Sequence, residues 1–186
     1  DVLAANGYIC GLSGKWHLGN SAKPQKSYSH WFAHKSGGGP YYNAPLYKDG
    51  VLYNEPRYVT DVITDDALEF IDENAGKQPF YLTACYTAPH SPWVNNHPKE
   101  YTDLYKDCPF DSIPKEKEHP DSIYLTKEVA KDLRSNLIGY FAAVTAMDAN
   151  IGRIIDKVES LGIREDTLIV FTSDNGFSCG HHGFWG

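Results

Sequence analysis

Lys15 and His17 stand two residues apart in the run Gly14-Lys15-Trp16-His17-Leu18-Gly19. In extended backbone, residues i and i+2 share a face, so a cation and an imidazole would line one surface while Trp16 packs on the other. Another imidazole, His90, sits in Ala88-Pro89-His90-Ser91-Pro92-Trp93, where the flanking prolines restrict the backbone. That rigidity suits an acid or base that must be in place before its pKa matters. Asp174-Asn175-Gly176 offers a carboxylate and an amide oxygen side by side, the donors that hard cations such as calcium or magnesium take. Gly180-His181-His182-Gly183 adds imidazoles in a glycine-rich loop. Taken singly, each has an ordinary reading: a solvated lysine, a turn histidine, an Asp-Asn-Gly turn, exposed loop histidines. Their weight comes from convergence. An anion held by Lys15 against a metal at Asp174 and Asn175, with His90 placed for proton transfer, describes a site for cleaving sulfate or phosphate esters.

Such convergence needs elements that end at one place. Asp1 to Ala5 reads as the last turns of a helix stopped by Asn6-Gly7, followed by a strand through Leu12 to His17 that ends at Gly19-Asn20. From Asn20 to Pro56 neither period appears, and the stretch reads as an irregular excursion whose aromatics, Trp31, Phe32, Tyr41, Tyr42 and Tyr47, offer flat faces for sugar or aryl rings or simply pack. Val59, Val62, Ile63, Ala67, Phe70 and Ile71 then mark one face of a helix over Tyr58 to Asn74, ended by Gly76. Pro79 to Tyr86 fits a strand buried on both faces. Pro98, Pro109, Pro114 and Pro120 forbid a long helix between Val94 and Thr126. Apolar residues every three or four positions predict one helix over Lys127 to Leu161, with Thr126 as its N-cap and Gly162 as its stop. Thr167 to Thr172 predicts a buried strand, turned at Ser173 to Gly176. Strand alternating with helix gives the α/β class, a mostly parallel sheet flanked by helices. Ligands of such sheets bind beyond the carboxyl ends of the strands, where Lys15, His90 and Asp174 all fall.

Composition narrows the partners. A net charge of −7 and no Lys/Arg-rich stretch leave no footprint for nucleic acid. No apolar run approaches a membrane span, and Asp1 to Ala5 has neither the basic flank nor the length of a signal peptide. The four cysteines, Cys10, Cys85, Cys108 and Cys179, are widely spaced without a CxxC pair, so a zinc knuckle is not suggested, and free thiols in apolar runs are the commoner reading.

The motifs resemble those of the sulfatase family, within the alkaline phosphatase superfamily. Gly7-Tyr8-Ile9-Cys10-Gly11-Leu12-Ser13-Gly14-Lys15-Trp16-His17-Leu18-Gly19 is similar to that family's second signature, with Cys10 where threonine or serine is usual. Thr87 to Trp93 resembles its histidine loop, and Phe171-Thr172-Ser173-Asp174-Asn175-Gly176 its late metal-ligand motif, in the family's order and across nearly the whole chain. The resemblance implies an alkaline-phosphatase-like α/β fold and hydrolysis of a small-molecule or glycan sulfate ester to an alcohol and sulfate. It implies that Lys15 holds the sulfate and the nucleophile, that His17 assists sulfate release, and that His90 contacts and protonates the leaving oxygen. Asp174 and Asn175 would be ligands of Ca2+, and a periplasmic or secreted location is suggested. The family's nucleophile is a formylglycine made from the first residue of a Cys- or Ser-x-Pro-x-Arg motif, which no cysteine or serine here begins. That motif is expected upstream of Asp1, and a further active-site lysine just past Gly186. Residues 1–186 would then be the central part of a single catalytic domain, incomplete at both ends and inactive alone.

Alternatives stay open on these residues. A phosphodiesterase or phosphonate hydrolase of the same superfamily shares the metal-ligand pair, and a relic without the nucleophile would bind sulfated glycans without cleaving them. A zinc hydrolase built on His17, His90 and His182 matches no zinc spacing. The fragment reading carries a physical expectation, because removing sheet neighbours exposes strand edges and apolar faces. The isolated chain should be poorly soluble or aggregate; a monodisperse monomer with a cooperative thermal transition would count against that reading.

Overall fold

Ile9–Gly14 forms β1 at the heart of a sheet, with parallel neighbours on both sides, His30–His34 (β2) and Phe80–Cys85 (β5). In the computed structural model, which describes residues 1–122 and 124–185, Val2–Ala5 is a single turn of helix, α1, packed beside β1. The side chains of Tyr124, Leu125 and Thr126 lie outside the description. Two further strands, Ala44–Lys48 (β3) and Val51–Glu55 (β4), complete the five-stranded order β4-β3-β2-β1-β5. Their pairings are antiparallel, so the sheet is mixed while the class remains α/β.

The helices are Val59–Asn74 (α2), Lys99–Thr102 (α3), Tyr124–Lys131 (α4) and Leu133–Ser160 (α5). Phe32 and Leu46 from the sheet meet Val59, Val62 and Ile63 of α2 and Ala143 and Ala146 of α5 in one core. The opposite sheet face carries Leu12, Trp31 and Ala33, with Trp16 and Tyr28 against them, as the period of two requires. Small buried residues, Ala142, Ala143 and Ala146, let α5 approach α2 closely. Asn150 then donates to Asp61 at 2.8 Å, Arg153 to Asp65 at 2.6 Å and Lys157 to Asp72 at 2.9 Å, fixing one helix along the other.

Five expectations change. β1 stops at Gly14, so Lys15 and His17 lie in the loop beyond it. The stretch from Asn20 to Pro56 is not an irregular excursion, since β2, β3 and β4 run through it. The signal that marks it is Asp49-Gly50, both residues at positive φ (53° and 76°), the two-residue turn that joins twisted antiparallel strands. β5 is the sheet's edge and only half-buried, not covered on both faces. The long helix is broken at Asp132, whose φ of −148° leaves the helical region while its carboxylate caps the Ser135 amide; Thr126 lies inside α4 instead of capping it. Thr167 to Thr172 forms no strand, and Leu168 and Phe171 are 88% and 75% exposed. Among the described residues no strand lies beside that segment to accept its hydrogen bonds.

At the sheet's other flank His30 Nε2 lies 2.8 Å from the buried Asp66 carboxylate. Burial opposes the imidazolium, and the Asp66 hydrogen bond and charge outweigh it, raising His30 above its ordinary value. A raised folded-state value stabilises fully below the unfolded value of about 6.5, and the contribution is lost as pH rises through the folded value. Thermal unfolding of the intact protein at pH about 6 and about 8 should show the higher midpoint at the lower pH. His30→Ala should remove that difference and cost about 2–4 kcal/mol; an unchanged pH slope in the variant would show the pair to be idle.

Candidate active site

The parallel register sets the site. Gly14 pairs with Ala33 of β2 and Cys85 of β5, so the three strands end at one edge, where Lys15 and Tyr86 follow β1 and β5 and His34 is the last residue of β2. Gly14 sits at φ 114°, and a Cβ there would lie 2.1 Å from the Cys85 carbonyl oxygen, so only glycine fits. The Lys15 amide donates to that same carbonyl at 2.7 Å. Its ammonium Nζ then reaches Asp174 Oδ2 at 3.0 Å. Lys15 is mostly buried and Asp174 mostly exposed, so the pair straddles the surface. The Lys15 hydrogen bond holds the Asp174 carboxyl below its ordinary value, while burial raises the neighbouring Cys85 thiol against the pull of the same ammonium.

Beside Asp174, the Asn175 amide nitrogen donates to the Gly176 carbonyl at 2.7 Å and the Ser173 hydroxyl to the Asn175 carbonyl at 2.6 Å. His17 is exposed and lies over Gly37, where a Cβ would meet its ring at 2.2 Å. Trp16, between Lys15 and His17, turns to the opposite face and packs edge-on against Trp31 and Tyr28.

His90 sits on the loop that leaves β5. Its amide closes a turn onto the Thr87 carbonyl at 2.9 Å, and its ring Nδ1 faces the Ser91 carbonyl at 2.7 Å. A carbonyl only accepts, so Nδ1 carries the proton and Nε2 is left as the reactive nitrogen of an exposed ring. The loop is seated by Trp93, whose indole donates to the Pro89 carbonyl at 2.8 Å and whose backbone lies where a Cβ on Gly139 of α5 would be.

Lys15 and Asp174 are thus in contact. Among the described residues no hydrogen bond or ion pair joins His17 or His90 to them. His181 and His182 are exposed on a short turn. Among the described residues no group of three His, Cys, Asp or Glu could hold a metal, so His17, His90 and His182 form no zinc site. All four cysteines are free. Sequence reasoning missed His34, which is fully buried at the end of β2 with Nε2 3.2 Å from the Thr87 hydroxyl. Burial and the Lys15 charge push its pKa down to about 4, so it is neutral. The signal was a polar residue closing the apolar run Trp31-Phe32-Ala33.

The family model described as Sulfatase matches residues 1–185. The chain belongs to the sulfatase family. An N-acetylglucosamine-6-O-sulfatase of Bacteroides thetaiotaomicron is 27% identical over 253 residues, covering 99% of this sulfatase chain and 45% of that protein. An ulvan-active sulfatase of Formosa agariphila is 28% identical, over 95% of the chain and 34% of its own length. The chain therefore spans less than half of either relative. Among solved structures, a putative sulfatase of Bacteroides fragilis superposes with a TM-score of 0.77 at 27% identity, over 97% of the chain and 44% of that protein. BT4656, solved with its substrate D-glucosamine-2-N,6-O-disulfate, gives 0.82 at 22% identity, over 100% and 51%, which supports the fold.

Sulfatases generally use a formylglycine and a divalent cation. Asp174 and Asn175 fit part of a cation's shell: an ionised, exposed carboxylate next to an amide whose nitrogen is already spent on Gly176, leaving its oxygen to coordinate. For the formylglycine nothing fits, because no cysteine or serine of this sulfatase chain begins Cys- or Ser-x-Pro-x-Arg. Without metal, Lys15→Met should move the Asp174 carboxyl titration, followed by NMR in chelator, up toward the ordinary carboxylate range. An unmoved titration would show that the ion pair does not form in solution.

Proposed function

We propose that the whole protein hydrolyses a sulfate ester of a carbohydrate, releasing the alcohol and inorganic sulfate. The observation that carries the reading is the Lys15–Asp174 contact at the carboxyl ends of the parallel strands, where an anion-binding cation and an oxygen-ligand pair share one place. The relatives named for N-acetylglucosamine 6-sulfate and ulvan support a sugar as the leaving group.

On this reading the Lys15 ammonium balances charge on the sulfate, its partly buried setting strengthening the attraction. His90, protonated at both nitrogens, keeps its Nδ1 hydrogen on the Ser91 carbonyl and donates from Nε2 to the alcohol oxygen as the S–O bond breaks. The oxygen leaves with the bonding pair and takes that proton, and Nε2 is restored as an acceptor. His17 is assigned to sulfate release. Asp174 and Asn175 would hold Ca2+, which when bound supplies Lewis-acid stabilisation of negative charge on sulfate oxygens. When a cation takes Asp174, the Lys15 ammonium is freed toward the anion.

The test is hydrolysis by the intact protein of a 6-sulfated sugar compared with the matching phosphate ester, with and without chelator. Turnover of the sulfate alone, lost in chelator and restored by calcium, is expected. His90→Ala should lower kcat on the sugar sulfate by about 10²- to 10⁴-fold. Preference for the phosphate would move the protein to the phosphoesterases, and tight binding without turnover would make it a glycan-binding relic.

A further inference from the structure

The His90 loop is held by groups that are themselves out of reach of solvent. Tyr41 is fully buried, stacked on Tyr58 at 5.7 Å and edge-on to His97 at 4.4 Å, and its hydroxyl donates to the His90 carbonyl at 2.7 Å. Burial raises the Tyr41 hydroxyl well above its ordinary value, so it stays a donor. At the other end of the turn, His34, seven residues before Tyr41 in the chain, grips the Thr87 hydroxyl through Nε2 at 3.2 Å. Thr87 and His90 are the two ends of the turn closed by the His90 amide on the Thr87 carbonyl. The stretch from His34 to Tyr41 therefore holds that turn at both ends, one grip on a side chain and one on the main chain. Gly39 lies inside this span, and a Cβ on it would come within 3.0 Å of His34 Nδ1, so the span folds tightly over the imidazole.

We propose that His34, Tyr41 and Thr87 are positioning residues that fix the Thr87–His90 turn and so aim the His90 ring at the leaving oxygen. The ring itself is exposed and, among the described residues, makes its own hydrogen bond only to the adjacent Ser91, so its direction is set by the main chain that carries it. A rigid turn matters because misplacing a reacting group by about 1 Å costs about 10²-fold in rate. The need is greatest when the leaving oxygen is a sugar alkoxide, which departs only with a proton. An activated aryl oxide leaves without one. The neutrality of His34 fits the role, since a second positive charge there would compete with Lys15 for the anion.

This inference rests on the sulfatase reading above for its kinetic part. In the intact protein Tyr41→Phe deletes only the hydroxyl on the His90 carbonyl, and Thr87→Val only the group held by His34. Each should lower kcat on a 6-sulfated sugar roughly tenfold to a hundredfold with KM little changed. On an activated aryl sulfate each should turn over nearly as the unaltered protein does. Amide hydrogen exchange at His90, which needs no turnover, should quicken in both. Tyr105→Phe, which deletes a hydroxyl bonded to Thr145 of α5 at 2.6 Å, reports general loosening and should produce neither effect. Equal losses on both sulfates, or His90 exchange as slow as in the unaltered protein, would overturn the assignment. If the unaltered protein hydrolyses neither sulfate, the sulfatase reading fails, and exchange at His90 alone decides whether the turn is clamped.

Discussion

The row Ala33–Gly14–Cys85 is the constraint on which the site depends. Parallel pairing on both sides of β1 forces three strands to end level, so the residues that follow them are delivered to one edge whatever their side chains. Gly14 makes the row possible, because the Cys85 carbonyl occupies the space a Cβ would need and then accepts from the Lys15 amide. A larger residue would push β1 away from β5 at the point where Lys15 must turn toward Asp174. The hydrophobic layers serve this register: Phe70 of α2 lies against Gly11, and Trp31 and Leu12 fill the other face, so a slip by one residue would place apolar side chains on the wrong side.

The α/β class and α2 were legible because an apolar face at helical spacing and a compact apolar run are properties of the chain alone. Lys15 and Asp174, separated by 159 residues, were expected to meet as two strand ends; they are in contact, but only Lys15 follows a strand, since the segment before Asp174 forms none. β2, β3 and β4 were not, because aromatics and glycines obscured the alternation; only Asp49-Gly50 announced a hairpin locally. The break at Asp132 hides in an apolar period that continues across it, since a capping carboxylate and a surface aspartate look alike in sequence. Thr167 to Thr172 failed for a different reason. Its composition is that of a strand, but strand formation depends on a neighbour, and the described residues provide none. His34 and Tyr41 were read as members of an irregular stretch, and their meaning lies in tertiary contacts with Thr87 and His90 that no local pattern encodes.

The imidazoles divide by environment. His34 and His97 are buried, held near pKa 4 by desolvation, and act as neutral fittings against Thr87 and Tyr58. His17 and His90 are exposed and keep a ring edge toward solvent. One residue type thus gives neutral fittings inside the fold and exposed rings at its surface by varying only burial.

Rigidity must also reach Asp174, and the ion pair cannot supply it. A contact with one partner mostly in water contributes little to stability, and the segment from Leu168 to Phe171 buries little apolar surface. Firmer anchorage comes three residues later. Phe177 stacks on Tyr140 of α5 at 5.6 Å and meets Trp93 edge-on at 5.3 Å. Trp93 is the same side chain that seats the His90 loop through the Pro89 carbonyl and the close approach to Gly139. The loop assigned to proton donation and the turn assigned to the cation are therefore fastened to one aromatic cluster on α5, while Lys15 is fixed independently by the sheet. A change at Trp93 would displace His90 and Asp174 together and leave Lys15 in place, so the distances among the three groups depend on how α5 lies against α2. That relation is set by the small residues Ala142, Ala143 and Ala146 and by the Asn150–Asp61 hydrogen bond. The long helix is thus the element that relates the two halves of the site.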